Sequence, residues 1–149
     1  MDGGNEIQNG PRLVTEGPWA GWRTWSGDPF ETQSGPYYFR EEDGAIRCAF
    51  RAERKHMNGG SFMHGGCQLT FADFALFALA DAHLKDSHAV TVSLNGEFVG
   101  TAHEGDLIEA TGEVIKAGKS MIFVRGVIAT GGSPMMSFSG VIKKVARRL

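Results

Sequence analysis

The stretch from Cys67 to Ala80 constrains this chain more than any other. It reads Cys67-Gln68-Leu69-Thr70-Phe71-Ala72-Asp73-Phe74-Ala75-Leu76-Phe77-Ala78-Leu79-Ala80, with no glycine or proline inside it. Its length and composition predict a helix, running from about Gly66 to Ala82 and apolar on nearly every side. Such a helix must be wrapped by the rest of the fold. One acid, Asp73, lies in the middle of it. Taking a carboxylate out of water costs several kcal/mol unless something compensates. Asp73 is therefore either a structural acid paired with a buried Arg or a backbone N–H, or a catalytic group.

What surrounds the helix is strand after strand. Gly35-Pro36 opens a predicted strand from Tyr37 to Glu41, and Glu42-Asp43-Gly44 reads as a hairpin turn into a second, from Ala45 to Ala52. After the helix, residues 90–98 alternate cleanly. Val90, Val92, Leu94 and Phe98 are expected on one face, and Thr91, Ser93, Asn95 and Glu97 on the other. Gly96 interrupts the apolar row and marks a bulge or a close approach. Strands Leu107–Lys116, Ser120–Ala129 and Met135–Val145 follow, joined by turns at Glu104-Gly105-Asp106, Ala117-Gly118-Lys119 and Gly131-Gly132-Ser133-Pro134. Short turns force antiparallel neighbours. The order of two strands, one long helix and four strands is an α+β arrangement. A strongly curved sheet, helped by a second subunit, would cover the helix.

The chain of 149 residues predicts one domain, residues 13–149, behind a flexible Gly-rich arm at 1–12. Trp19, Trp22 and Trp25 are spaced for one face of a short helix. They would anchor that helix onto the fold or line an apolar pocket. A net charge of −2 gives no electrostatic case for nucleic acid. The basic residues Lys143, Lys144, Arg147 and Arg148 read as a solvated end. No stretch suits a membrane span, and the N-terminus does not read as a secretory signal. Cys48 and Cys67 are no disulfide framework, so a reduced, cytoplasmic setting is expected.

The start of the helix is a second candidate feature. The first amides of a helix lack internal partners and carry the positive end of its dipole. Gly65 and Gly66 leave them open to close approach. That is either a site for a developing oxyanion or simply a tight loop-to-helix turn. Asp73 lies eight residues beyond Gly65, or ~12 Å along a helix axis. One bond cannot easily meet both within a chain. Two helices packed antiparallel across a two-fold axis would place Gly65 of one opposite Asp73 of the other, which points to a homodimer with shared sites. Asn58 could orient a water or a carbonyl, or be a turn former. Thr91 could hold a water, or be an ordinary strand residue. His56 and His64 do not match zinc-ligand spacing, so no metal is expected. No serine stands in a Gly-x-Ser-x-Gly elbow.

His56-Met57-Asn58-Gly59-Gly60-Ser61-Phe62-Met63-His64-Gly65-Gly66, with Asp73 nine residues after His64, resembles the hotdog-fold acyl-CoA thioesterases of the phenylacetate-degradation (PaaI) type. Thr91 to Phe98, Glu104 to Ile108 and Ala117 to Ser120 are similar to strand and turn signatures of that family. The resemblance implies a curved antiparallel sheet around one helix, assembled as a homodimer or homotetramer. It implies hydrolysis of an acyl-CoA thioester, with Asp73 as general base or nucleophile and the Gly65 amide polarising the carbonyl from the facing subunit. Asn58 and His64 would place substrate or water, and Thr91 would assist the water. Gly118, Lys119 and Ser120 fall where coenzyme A would be contacted. No cofactor is implied beyond coenzyme A as part of the substrate. Val99-Gly100-Thr101-Ala102 departs from the family's Arg-Pro-Ala-like turn. Two other functions suit the same fold: an acyl-thioester hydratase or dehydratase, and a non-catalytic acyl-thioester binder.

Overall fold

A computed structural model describes residues 10–85 and 87–146. The first nine residues of the expected arm, and Arg147 and Arg148 of the basic end, lie outside them. The long helix, α2, runs Gly65–Leu79 and is followed by a 3-10 turn, Asp81–His83. It ends three residues before the expected end at Ala82. Among the described residues eight strands form one antiparallel sheet: β1 (Arg12–Leu13), β2 (Arg23–Thr24), β3 (Tyr38–Glu42), β4 (Ala45–Arg51), β5 (His88–Phe98), β6 (Leu107–Ala117), β7 (Met121–Thr130) and β8 (Ser133–Val145). Their spatial order is β1-β2-β3-β4-β6-β7-β8-β5. A short helix, α1 (Pro29–Ser34), precedes β3. The fold is α+β, as the element order implied.

α2 packs against β4, β5, β6, β7 and β8. A helix about 10 Å wide reaches five strands spaced about 4.8 Å apart only if the sheet curves round it. Phe71, Ala72, Ala75, Leu76 and Ala78 are fully buried there, against Ile108, Ile122, Ile128, Met136 and Ile142 of the sheet. Leu76 lies against Gly140 of β8, where any side chain would run into it. The β3–β4 hairpin turns through Asp43 and Gly44, both at positive φ, as a two-residue turn of matching twist requires.

Two sequence expectations are corrected. The tryptophans are not on a helix. Gly17 and Gly21 take positive φ, which breaks a helix there, and Trp22 leads directly into β2. They do anchor the segment. Trp19 stacks on Tyr38 at 4.4 Å, Trp22 lies under the Arg40 guanidinium, and Trp25 packs between Phe39 and Phe74. The second correction concerns β5, whose pairing with β8 shifts register between Thr91 and Ser93. Thr91 lies opposite buried Ile142, and Leu94, Gly96 and Phe98 lie opposite Gly140, Phe138 and Met136. Directly opposed residues share a face, so all four point toward α2. Val90 and Val92 are about half exposed. The expected single apolar row is split by a bulge at Val92, while Gly96 marks a close approach, with Met136 filling its side-chain space.

Candidate active site

The loop before α2 is built by three polar side chains. Asn58 accepts hydrogen bonds at Oδ1 from the Gly60 and Phe62 N–H groups, at 2.8 and 3.1 Å. His56 is buried, accepts at Nδ1 from the Glu53 N–H, and therefore donates from Nε2 to the Ser34 carbonyl at 2.6 Å. Burial lowers its pKa, in keeping with a neutral structural imidazole. His64 is the N-cap of α2. Its Nδ1 accepts from the Gly66 N–H at 2.9 Å, and its carbonyl accepts from Cys67 and Gln68. A Cβ on Gly66 would stand 3.0 Å from that Nδ1, so the second glycine makes room for the cap. Among the described residues nothing accepts from the Gly65 N–H. It is the one donor of this turn left for a ligand.

Two turns further on, α2 carries Asp73. Gly66, Thr70, Asp73 and Phe77 are the positions i, i+4, i+7 and i+11 of a stripe that the sheet leaves partly uncovered. The Thr91 hydroxyl donates to Asp73 Oδ1 at 2.6 Å. The bulge in β5 is what turns Thr91 toward the helix, so this contact depends on one irregular residue. Burial pushes the Asp73 pKa up; the Thr91 hydrogen bond opposes that, and the Asp28 charge adds to it.

A second acid region, unforeseen from sequence, faces the same place. α1 packs on α2, with Asp28 as its N-cap accepting from the Glu31 N–H at 2.9 Å. Glu31 is pushed up to about 8 by burial and by the charges of Asp28 and Asp73. Asp28 followed by Pro29 is a helix-start signal and could have revealed α1.

The structure gathers the expected site residues in two groups. His64 and Gly65 stand at the N-terminus of α2, with Asn58 in the loop that leads to it. Asp73 and Thr91 meet some ~12 Å along the axis. Gly118, Lys119 and Ser120 form the β6–β7 turn. That turn lies at the Thr91 end of the sheet, since Thr91, Ile142, Ile122 and Ala117 form one cross-strand row.

An antiparallel sheet curved around one apolar helix is the hotdog arrangement. Residues 60–134 match the thioesterase superfamily, and the chain belongs to that family of thioester hydrolases. A candidate esterase of Pseudomonas aeruginosa is 35% identical over 109 residues, covering 72% of this chain and 81% of its own. A Bacillus halodurans protein solved with CoA has a TM-score of 0.68 at 24% identity, over 74% of both chains. A mutant of the phenylacetic acid degradation protein PaaI from Thermus thermophilus gives 0.67 at 20% identity, over 79% of this chain and all of that one.

Proposed function

We propose that the substrate is an acyl-CoA thioester and that Asp73 is the general base for its hydrolysis. The carrying observation is the Asp73 carboxylate itself. It is partly buried on the uncovered stripe of α2, with one oxygen fixed by Thr91 and the other available to a water. Burial raises its proton affinity toward the range useful to a base. Asp73 takes a proton from water as the water oxygen attacks the thioester carbon. The oxyanion accepts from the free Gly65 N–H of the partner subunit, and collapse expels the coenzyme A thiolate. His64 holds that amide in place as the helix cap, and Asn58 holds the loop that leads to it. Gly118, Lys119 and Ser120 are proposed contacts for coenzyme A. It enters as part of the substrate, with no separate cofactor.

A homodimer follows from the spacing of the two groups. β5 supports it, as an eleven-residue edge strand with exposed Val90 and Val92. Unpaired edges of that kind call for a partner. The free Cys48 and Cys67 fit a cytoplasmic setting. No helix among the described residues is long and apolar enough to cross a membrane.

The test is a panel of short, long and aromatic acyl-CoA substrates, run with the native protein and with Asp73→Asn. The native protein should hydrolyse part of the panel, and the variant should lose about a thousandfold in kcat while keeping its fold. A native protein inert across the panel, or a variant of full activity, sinks the proposal. Single turnover in oxygen-18 water separates base from nucleophile, because only a nucleophilic Asp73 acquires label.

A further inference from the structure

Phe98 closes β5 with its ring laid on Gly65. A Cβ built on Gly65 would stand 3.3 Å from Phe98 Cε1 and 3.5 Å from Cζ. Among the described residues other than its chain neighbours, no other side chain comes that near this position. The ring belongs to the inward row of β5, opposite buried Met136. Yet it is 51% exposed, because it overhangs the open end of α2 rather than the core. The chain around it is fixed. Gly100 N–H donates to the Met135 carbonyl, Met63 N–H donates to the Ala102 carbonyl at 2.9 Å, and buried Gln68 reaches the Gly100 carbonyl from α2.

The direction of the contact matters. In a helix each Cα–Cβ bond tilts toward the N-terminus. At Gly65 that direction runs beside the path along which a carbonyl reaches the N–H, and the phenyl ring fills it. A carbonyl oxygen must come to about 2.7–3.1 Å from the amide nitrogen to be stabilised. The groups on its carbon then lie against the ring.

We propose that Phe98 is a specificity-determining residue. Its ring occupies the space beside the Gly65 amide where a branch on the acyl carbon next to the thioester carbonyl would sit. The site accordingly takes acyl groups unbranched at that carbon. This rests on the proposed hydrolysis with Gly65 as oxyanion donor, and it adds the acyl class.

The test compares kcat/KM for isomeric pairs of straight-chain and 2-methyl-branched acyl-CoA substrates, in short, medium and long lengths. Isomers hold total apolar area nearly constant. The native protein should favour the straight chain, and Phe98→Ala should raise the branched-to-straight ratio about tenfold, with Phe98→Leu between the two. A ratio unchanged in both variants overturns the Phe98 assignment while leaving the hydrolase proposal standing. A native protein that hydrolyses neither isomer at any length overturns both. The ring's place is read separately. Removing it should shift the Gly65 amide and Hα resonances, and an unmoved Gly65 signal in Phe98→Ala counts against the assignment.

Discussion

At the residue scale the site turns on how Asp73 is held. Its carboxylate is pulled two ways: burial raises its pKa, and the Thr91 hydroxyl lowers it by donating to the ionised form. Thr91→Val keeps the shape and removes the donor. The pKa of Asp73 then rises, so the acidic limb of the kcat/KM profile should move to higher pH. The plateau should fall about tenfold as the carboxylate loses its fixed orientation. A pH–rate series on both proteins checks this; an unmoved limb would show that Asp73 does not govern it. Asp73 was legible in the sequence because a lone acid in an apolar helix is an energetic anomaly on its face. The sequence marks Thr91 as a candidate but not its face. Strict alternation would turn it outward, and the bulge at Val92 that turns it inward leaves no mark in the sequence. Phe98 reads in sequence only as one of a row, since nothing in residue order shows which apolar side chain overhangs a glycine thirty-odd positions earlier.

At the scale of elements, α2 and the four strands after it were legible because each carries a strong period or a turn signal. α1 shows only its start signal, Asp28-Pro29, because six residues with no buried side chain give no period at all. It nonetheless places the Asp28 charge, which adds to the effect of burial on Asp73, and it brings Glu31 against α2. Glu31 has an ordinary pKa near 4.5 unfolded and about 8 folded. The folded state therefore holds its proton more tightly. That stabilisation is complete below the unfolded value, declines as pH rises between the two, and is lost above about 8. Glu31→Gln should remove this decline. Between pH 6 and 9 the native protein loses stability that the variant keeps. The difference is of order 2 kcal/mol, well under the full linkage value because the carboxyl retains some solvent. Urea unfolding of both proteins across that range measures it. Parallel curves would mean that Glu31 is solvated and that α1 sits more loosely on α2.

For the whole molecule, the decisive question is whether the two groups of residues belong to one site. Within a chain they are a helix length of about 12 Å apart, so a single bond cannot use both. The geometry at Gly65 permits a clean separation of roles. Gly65 is the first helical residue, where proline is tolerated because its N–H would have no helical partner. His64 before it sits at φ −62° and ψ 134°, the extended backbone that a following proline requires. Gly65→Pro should thus delete the proposed oxyanion donor while α2 still forms, provided the exposed Phe98 ring gives way by a few tenths of an ångström; Gly65→Pro with Phe98→Leu relieves that contact and serves as the control. Alone, Gly65→Pro should be nearly inactive, as should Asp73→Asn. Co-expressed, the two variants form a mixed dimer in which one site lacks both groups. The other site pairs Asp73 of one chain with the Gly65 amide of its partner, both intact. With random association, half of the dimers are mixed and each has one working site, so activity should return to about a quarter of the native level. Were both groups to act within a chain, every subunit in the mixture would be defective and no activity would return. The mixing experiment therefore tests the dimer, its two-fold symmetry and the division of the site in one measurement. A recovery near a quarter would show that the apolar helix is shared, its partly buried acid serving one subunit's bond and its open amide the other's.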